Sequence, residues 1–124
     1  MHLIENGELE MENVIEAKSF AFAVKIVELT RRMDSTREYA LINLLLRSGT
    51  SIGANVTEAQ QAQSKRDFVS KMSIALKEAN ETKYWLQLMR EVGNLSEEES
   101  REFLRMTDEL MRILIAIVKS SKEQ

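Results

Sequence analysis

The chain has 124 residues, a formal net charge of −3, no cysteine, no proline and only four glycines. That fits one domain and excludes disulfides, thiolate metal sites and a many-stranded fold, which needs frequent turn residues. No apolar run nears the roughly eighteen residues a membrane span requires, and no basic start followed by an apolar stretch marks a signal peptide, so a cytoplasmic protein with no membrane association is expected.

Residues 1–12 carry Glu5, Glu8, Glu10 and Glu12 and no lysine or arginine. An acidic, flexible tail is expected there, ahead of a bundle domain over 13–124. His2, the one histidine, falls in this tail and is read as a bystander. Apolar spacing then predicts a first helix from about Ile15 to Met33. Phe20, Ala23, Val24, Val27 and Met33 lie near one face, with Phe22, Ile26 and Leu29 beside it. Ser35 or Thr36 is expected to cap a second helix, from about Arg37 to Ala62, whose inward stripe is Leu41, Leu45, Ser48, Ile52, Val56 and Ala59.

Ser64, with Asp67 three residues on, reads as the cap of a third helix. Its stripe of Phe68, Met72, Ala75, Ala79, Thr82, Leu86 and Met89 runs to Val92, and Gly93 supplies a left-handed stop. Ser96 and Glu99 form a capping box that opens a fourth helix, with Phe103, Met106, Leu110, Ile113, Leu114 and Ile117 inward. Loops this short make neighbours antiparallel. The expected fold is all-α, an up-down-up-down four-helix bundle.

Some residues exceed what one bundle requires. The third helix has a second apolar stripe, Ile74, Trp85 and Leu88, and the second helix places Gly49 and Gly53 four apart. A glycine inside a soluble helix costs about 1 kcal/mol relative to alanine, so a paired glycine face implies close approach by another backbone. Gly49, Gly53, Ile74, Trp85 and Leu88 are therefore the candidate subunit interface. Tight contact inside one bundle is the alternative for the glycines. Ser51, Asn55 and Glu58 share a line on the second helix, and Lys77 stands on the facing third helix at a matching height. They are candidates for an interhelical polar network.

Charge is unevenly spread: residues 18–90 hold 12 basic and 7 acidic residues (+5), and residues 96–124 hold 5 and 7 (−2). In an up-down bundle, Lys65 and Arg66 would approach Lys18, Lys119 and Lys122 at one end. Those five residues are the candidate anion- or nucleic-acid-binding surface. For catalysis the chain has few parts. It has no Glu-x-x-His pairs for a di-iron centre, no phosphate loop and no placed histidine, so no catalytic residues, metal ligands or cofactor are expected. Glu78 and Glu81, three apart, are read as ordinary surface carboxylates.

Several strings resemble a known family. Lys18-Ser19-Phe20-Ala21-Phe22-Ala23-Val24 looks like its first-helix signature, and the run from Leu45 through Arg47-Ser48-Gly49-Thr50-Ser51-Ile52-Gly53-Ala54-Asn55 to Ala59 looks like its most distinctive segment. Ser64 to Phe68 and Ala75 to Leu86 are similar to its third helix. The family is that of bacterial four-helix bundle proteins first named for intervening sequences of 23S ribosomal RNA genes, and the resemblance covers about residues 13–120. It implies a ring-like homo-oligomer, a pentamer. The chain is also similar to the accessory variability protein of diversity-generating retroelements, a strongly basic relative that binds nucleic acid and a reverse transcriptase. Two functions remain open on this reading. One is an oligomeric adaptor for RNA or DNA, with or without a protein partner. The other is an oligomeric scaffold that binds only protein.

Overall fold

The third helix shows most directly how residue pattern becomes structure. The computed structural model describes residues 6–34 and 36–123, which form α1 (Asn6–Arg32), α2 (Tyr39–Ala59), α3 (Lys65–Glu91) and α4 (Glu97–Lys122). In α3 the buried residues are Phe68, Met72, Ala75, Ala79, Thr82, Leu86 and Met89, the stripe expected from spacing. The Ser64 hydroxyl accepts the Asp67 N–H at 3.0 Å and so satisfies one of the free donors of the first turn. At the other end Gly93 takes φ +87°, while the Gly93 N–H reaches the Arg90 carbonyl (3.2 Å) and the Asn94 N–H reaches that of Met89 (2.8 Å). That pairing terminates a helix where glycine avoids the steric cost of the left-handed region.

Each helix packs against its sequence neighbours, and α1 closes against α4, so the fold is the expected four-helix bundle. Ile15, Ile26, Leu45, Ile52, Phe68, Met72, Leu86 and Leu114 are fully enclosed at its centre. Phe22 of α1 meets Phe103 of α4 edge to face, with ring centres 6.2 Å apart. Among the described residues there is no strand, and no helix is long and apolar enough to cross a membrane.

Four expectations need correction. First, α1 begins at Asn6, inside the segment read as a flexible tail. Met11 packs on the core and Glu12 is buried, because the helical repeat that places Ile15 inward extends one more turn back. His2 and Glu5 lie outside the described residues.

Second, α1 turns its other face inward. Ile15, Phe22, Ile26 and Leu29 are buried, whereas Phe20 is 72% exposed and Val24 is exposed. Third, α2 has no side-chain cap: Glu38 takes a left-handed φ of 47° at its start. Thr36 caps nothing. Its N–H and hydroxyl instead donate to the Asp34 carboxylate at 2.9 and 2.6 Å, which holds Asp34 below its ordinary pKa. Ser35, the other cap candidate, lies outside the described residues.

Fourth, the capping box of α4 is half made. Ser96 accepts the Glu99 N–H at 3.1 Å, but the Glu99 carboxylate pairs with Arg32 of α1 at 2.8 Å. Met106 and Ile113 are only half-buried, and the positions filled inward beside Phe103 and Leu110 include Ser100 and Thr107. Their hydroxyls donate to carbonyls of the preceding turn, which makes burial tolerable.

Candidate functional site

The glycines of α2 explain the orientation of α1. A Cβ on Gly49 would stand 2.9 Å from the Ile26 side chain, and one on Gly53 would stand 3.2 Å from the Ser19 carbonyl oxygen. Both glycines therefore serve the α1–α2 crossing within one subunit. Only the stripe carrying Ser19 and Ile26 can come this close, so Phe20 is left outside. It forms the rim of a groove of about 430 Å³, with Ala23, Thr50, Gly53, Ala54 and Thr57. Leu9, Phe20 and Val24 add exposed apolar surface to the outer side of α1.

The α2–α3 seam is fastened by polar contacts of unequal depth. Ser48 and Thr82 are fully buried and their hydroxyls bond across the seam at 3.0 Å. Nearer the surface, Glu58 pairs with Lys71 at 3.3 Å and Glu81 with Arg47 at 3.5 Å. The predicted polar line therefore divides. Glu58 does bond across helices but stays exposed, and Asn55 is half-buried but donates to the Ser51 carbonyl of its own helix at 2.9 Å. Ser51 donates to the Arg47 carbonyl at 2.6 Å, and Lys77 is exposed. A side chain that closes a loop back to its own backbone needs no facing partner, and helical spacing alone does not show this local competitor.

The same seam contains two unsatisfied atoms. Glu78 Oε2 and Trp85 Nε1 are shut away from solvent without a hydrogen-bond partner. Burial pushes the Glu78 carboxyl above its ordinary pKa, and the neighbouring Glu81 carboxylate adds to the rise against the pull of Arg47. Trp85 packs edge to face on Tyr84 at 5.0 Å. Of the predicted interface residues on α3, Ile74 is exposed and Trp85 and Leu88 are half-buried.

Of the five predicted anion-binding residues, Lys18 is already paired with an acid. Lys18 lies along the α1–α4 seam, where Glu109 holds it at 3.3 Å, in series with Lys25–Glu102 and Arg32–Glu99. Lys65 and Arg66 open α3, with Lys65 half-buried and engaged in a contact, while Lys119 and Lys122 occupy the last turn of α4.

A different cationic array was not anticipated. Arg101, Arg105, Arg112 and Lys119 are all exposed and make no ion pair among the described residues. The spacing of four, seven and seven places them along one side of α4. Of the acids that gave this helix its negative sum, Glu99, Glu102 and Glu109 pair with α1 and Asp108 pairs with Lys83 of α3 at 3.0 Å, while Glu97 and Asp108 share the arginine side. Summing charge along the sequence hid the array. Sorting the same residues by helical angle would have found it.

No group of three or more metal-ligating side chains occurs among the described residues. The family described as 23S rRNA-intervening sequence protein matches residues 11–116. A solved structure from Bacteroides thetaiotaomicron, a protein of unknown function from the S23 ribosomal protein family, is similar at 44% identity and a TM-score of 0.85. The match covers 88% of this chain and 98% of that one. No curated protein matches.

Proposed function

Given that this chain belongs to the 23S rRNA-intervening sequence protein family, we propose that it acts without catalysis, as a self-assembling bundle that serves as an adaptor for RNA or DNA. One observation supports this most: the two sides of the bundle are segregated. The groove between α1 and α2 is lined by Phe20, Ala23, Thr50, Gly53, Ala54 and Thr57 with no charged side chain, while the outer side of α4 presents Arg101, Arg105 and Arg112 without an ion pair among the described residues. A surface of the first kind suits a second copy of the chain, and one of the second kind suits a polyanion.

Apolar surface flanks α2 on both sides, toward α1 and toward Ile74 and Trp85 of α3. Two different faces suit a head-to-tail ring of few subunits better than a two-fold dimer. Five subunits is the number the family resemblance implies. Light scattering at micromolar concentration tests assembly: a pentamer is expected for the native chain, and Phe20→Asp should yield a helical monomer. A native monomer overturns assembly.

The protein-only scaffold is favoured by a separate observation, the unsatisfied Trp85 Nε1 next to exposed Tyr84. Purification of the native oligomer with and without nuclease separates the two readings. Polynucleotide that remains bound until nuclease treatment supports the adaptor, and a protein partner indifferent to nuclease supports the scaffold.

A further inference from the structure

We propose that the outer groove between α3 and α4 grips the phosphate backbone of a nucleic acid through Arg101, Arg105 and Arg112, with Arg90 on the α3 side. This rests on the adaptor reading and assigns its contact surface. Arg90, Arg101, Arg105 and Arg112 line one groove of about 360 Å³ together with Glu97, Ser100, Leu104 and Asp108, so four cations outnumber two acids there, and Arg90 also reaches the Glu91 carboxylate at 4.0 Å. Asp108 is occupied by Lys83 at 3.0 Å, so it offsets the arginines less than its position suggests. Lys119 continues the same line toward the end of α4.

Geometry favours a linear polyanion. At about 1.5 Å rise per residue, Arg101 to Arg105 spans ~6 Å and Arg105 to Arg112 ~10 Å, and the line through Lys119 reaches ~27 Å. Each interval exceeds the ~3.4 Å axial rise per nucleotide of one strand, so neighbouring cations meet different phosphates. Arginine also grips phosphate bidentately, which a lysine cannot do. An anionic membrane would be served better by apolar side chains alternating with the cations, and along this line Ile115 is the exposed one. No base-reading element accompanies the groove, so binding is indifferent to sequence.

The test is fluorescence anisotropy of the full-length oligomer with a labelled 20-nucleotide RNA of random sequence, the matching RNA and DNA duplexes, phosphatidylserine vesicles and poly-glutamate. Salt-dependent binding to the nucleic acids is expected, with none to vesicles or poly-glutamate at the same ionic strength. R101E/R105E/R112E should weaken binding on the order of 100-fold. The neutral R101Q/R105Q/R112Q should lower the slope of log K against log salt by about one unit per arginine. Helicity and subunit number of both variants, read by circular dichroism and light scattering, should match the native protein. K65E/R66E should change little.

If the native protein binds nucleic acid and the α4 variants bind as well, or if K65E/R66E alone removes binding, the groove assignment is overturned and the adaptor reading stands. If the native protein binds no nucleic acid at low salt, both fall. Equal binding to vesicles or poly-glutamate overturns the claim of a nucleic-acid surface.

Discussion

Helices α2 and α4 lie diagonally across the bundle and are held in place by different physics. α2 has two charged side chains in 21 residues, Arg47 and Glu58, and its seams close on Gly49, Gly53 and the buried Ser48–Thr82 pair. α4 has eleven charged side chains in 26 residues, and its seam with α1 is bridged by exposed ion pairs at 2.8 to 3.7 Å. Close approach leaves no room for an added methyl group, whereas exposed ion pairs in water are nearly exchangeable. The difference teaches where this fold is brittle and where it is free to vary.

The sharpest way to break that comparison is to add bulk on α2. Gly53→Leu should destabilise the subunit by about 3 kcal/mol in urea denaturation, because its side chain meets the Ser19 backbone rather than a flexible tip. Ala40→Leu, exposed in the first turn of α2, should leave stability within about 0.5 kcal/mol. Equal losses for the two would show that the crossing is not tight.

Removing one member of the buried hydroxyl pair comes next. Thr82→Val leaves the Ser48 hydroxyl with a single 3.4 Å contact to the Leu45 carbonyl and should cost about 1–2 kcal/mol. Adding Ser48→Ala to that variant should recover part of the loss, and a double-mutant cycle measures the coupling. Strict additivity would mean the hydroxyls are independent.

Glu78 sharpens the comparison through pH. Its carboxyl titrates above the ordinary value in the folded chain, so the proton stabilises the fold at low pH. That contribution is complete below the unfolded pKa and is lost as pH rises through the folded one. Glu78→Gln keeps the neutral shape, so it should raise Tm at pH 7 and leave it nearly unchanged near pH 4. A calorimetric Tm difference independent of pH would refute the assignment.

The smallest effect is expected on the α4 side. Lys25→Met breaks the 3.7 Å pair with Glu102, both side chains half in water, and should shift stability by no more than about 0.5 kcal/mol. A loss several times larger would mean that the two seams are not different in kind.

Residue pattern alone determined the number of helices, the caps at Ser64 and Ser96, the stop at Gly93 and the whole inward stripe of α3. Each depends on chemistry within one or two turns, or, in α3, on an unbroken apolar stripe whose rival is interrupted by Glu78 and Glu81. The inward face of α1 was decided only by packing, because that helix carries two apolar stripes and local spacing ranks them alike. Gly49 and Gly53 broke the tie by admitting Ile26 and the Ser19 backbone and turning Phe20 outward. The candidate basic surface followed the same rule. Up-down topology pointed to Lys18, Lys65, Arg66, Lys119 and Lys122 at one end, but the fold paired Lys18 with Glu109 and drew Glu99, Glu102 and Glu109 toward α1 and Asp108 toward α3. Which cations stay unpaired is a property of neighbours distant in sequence, and only the assembled bundle supplies them.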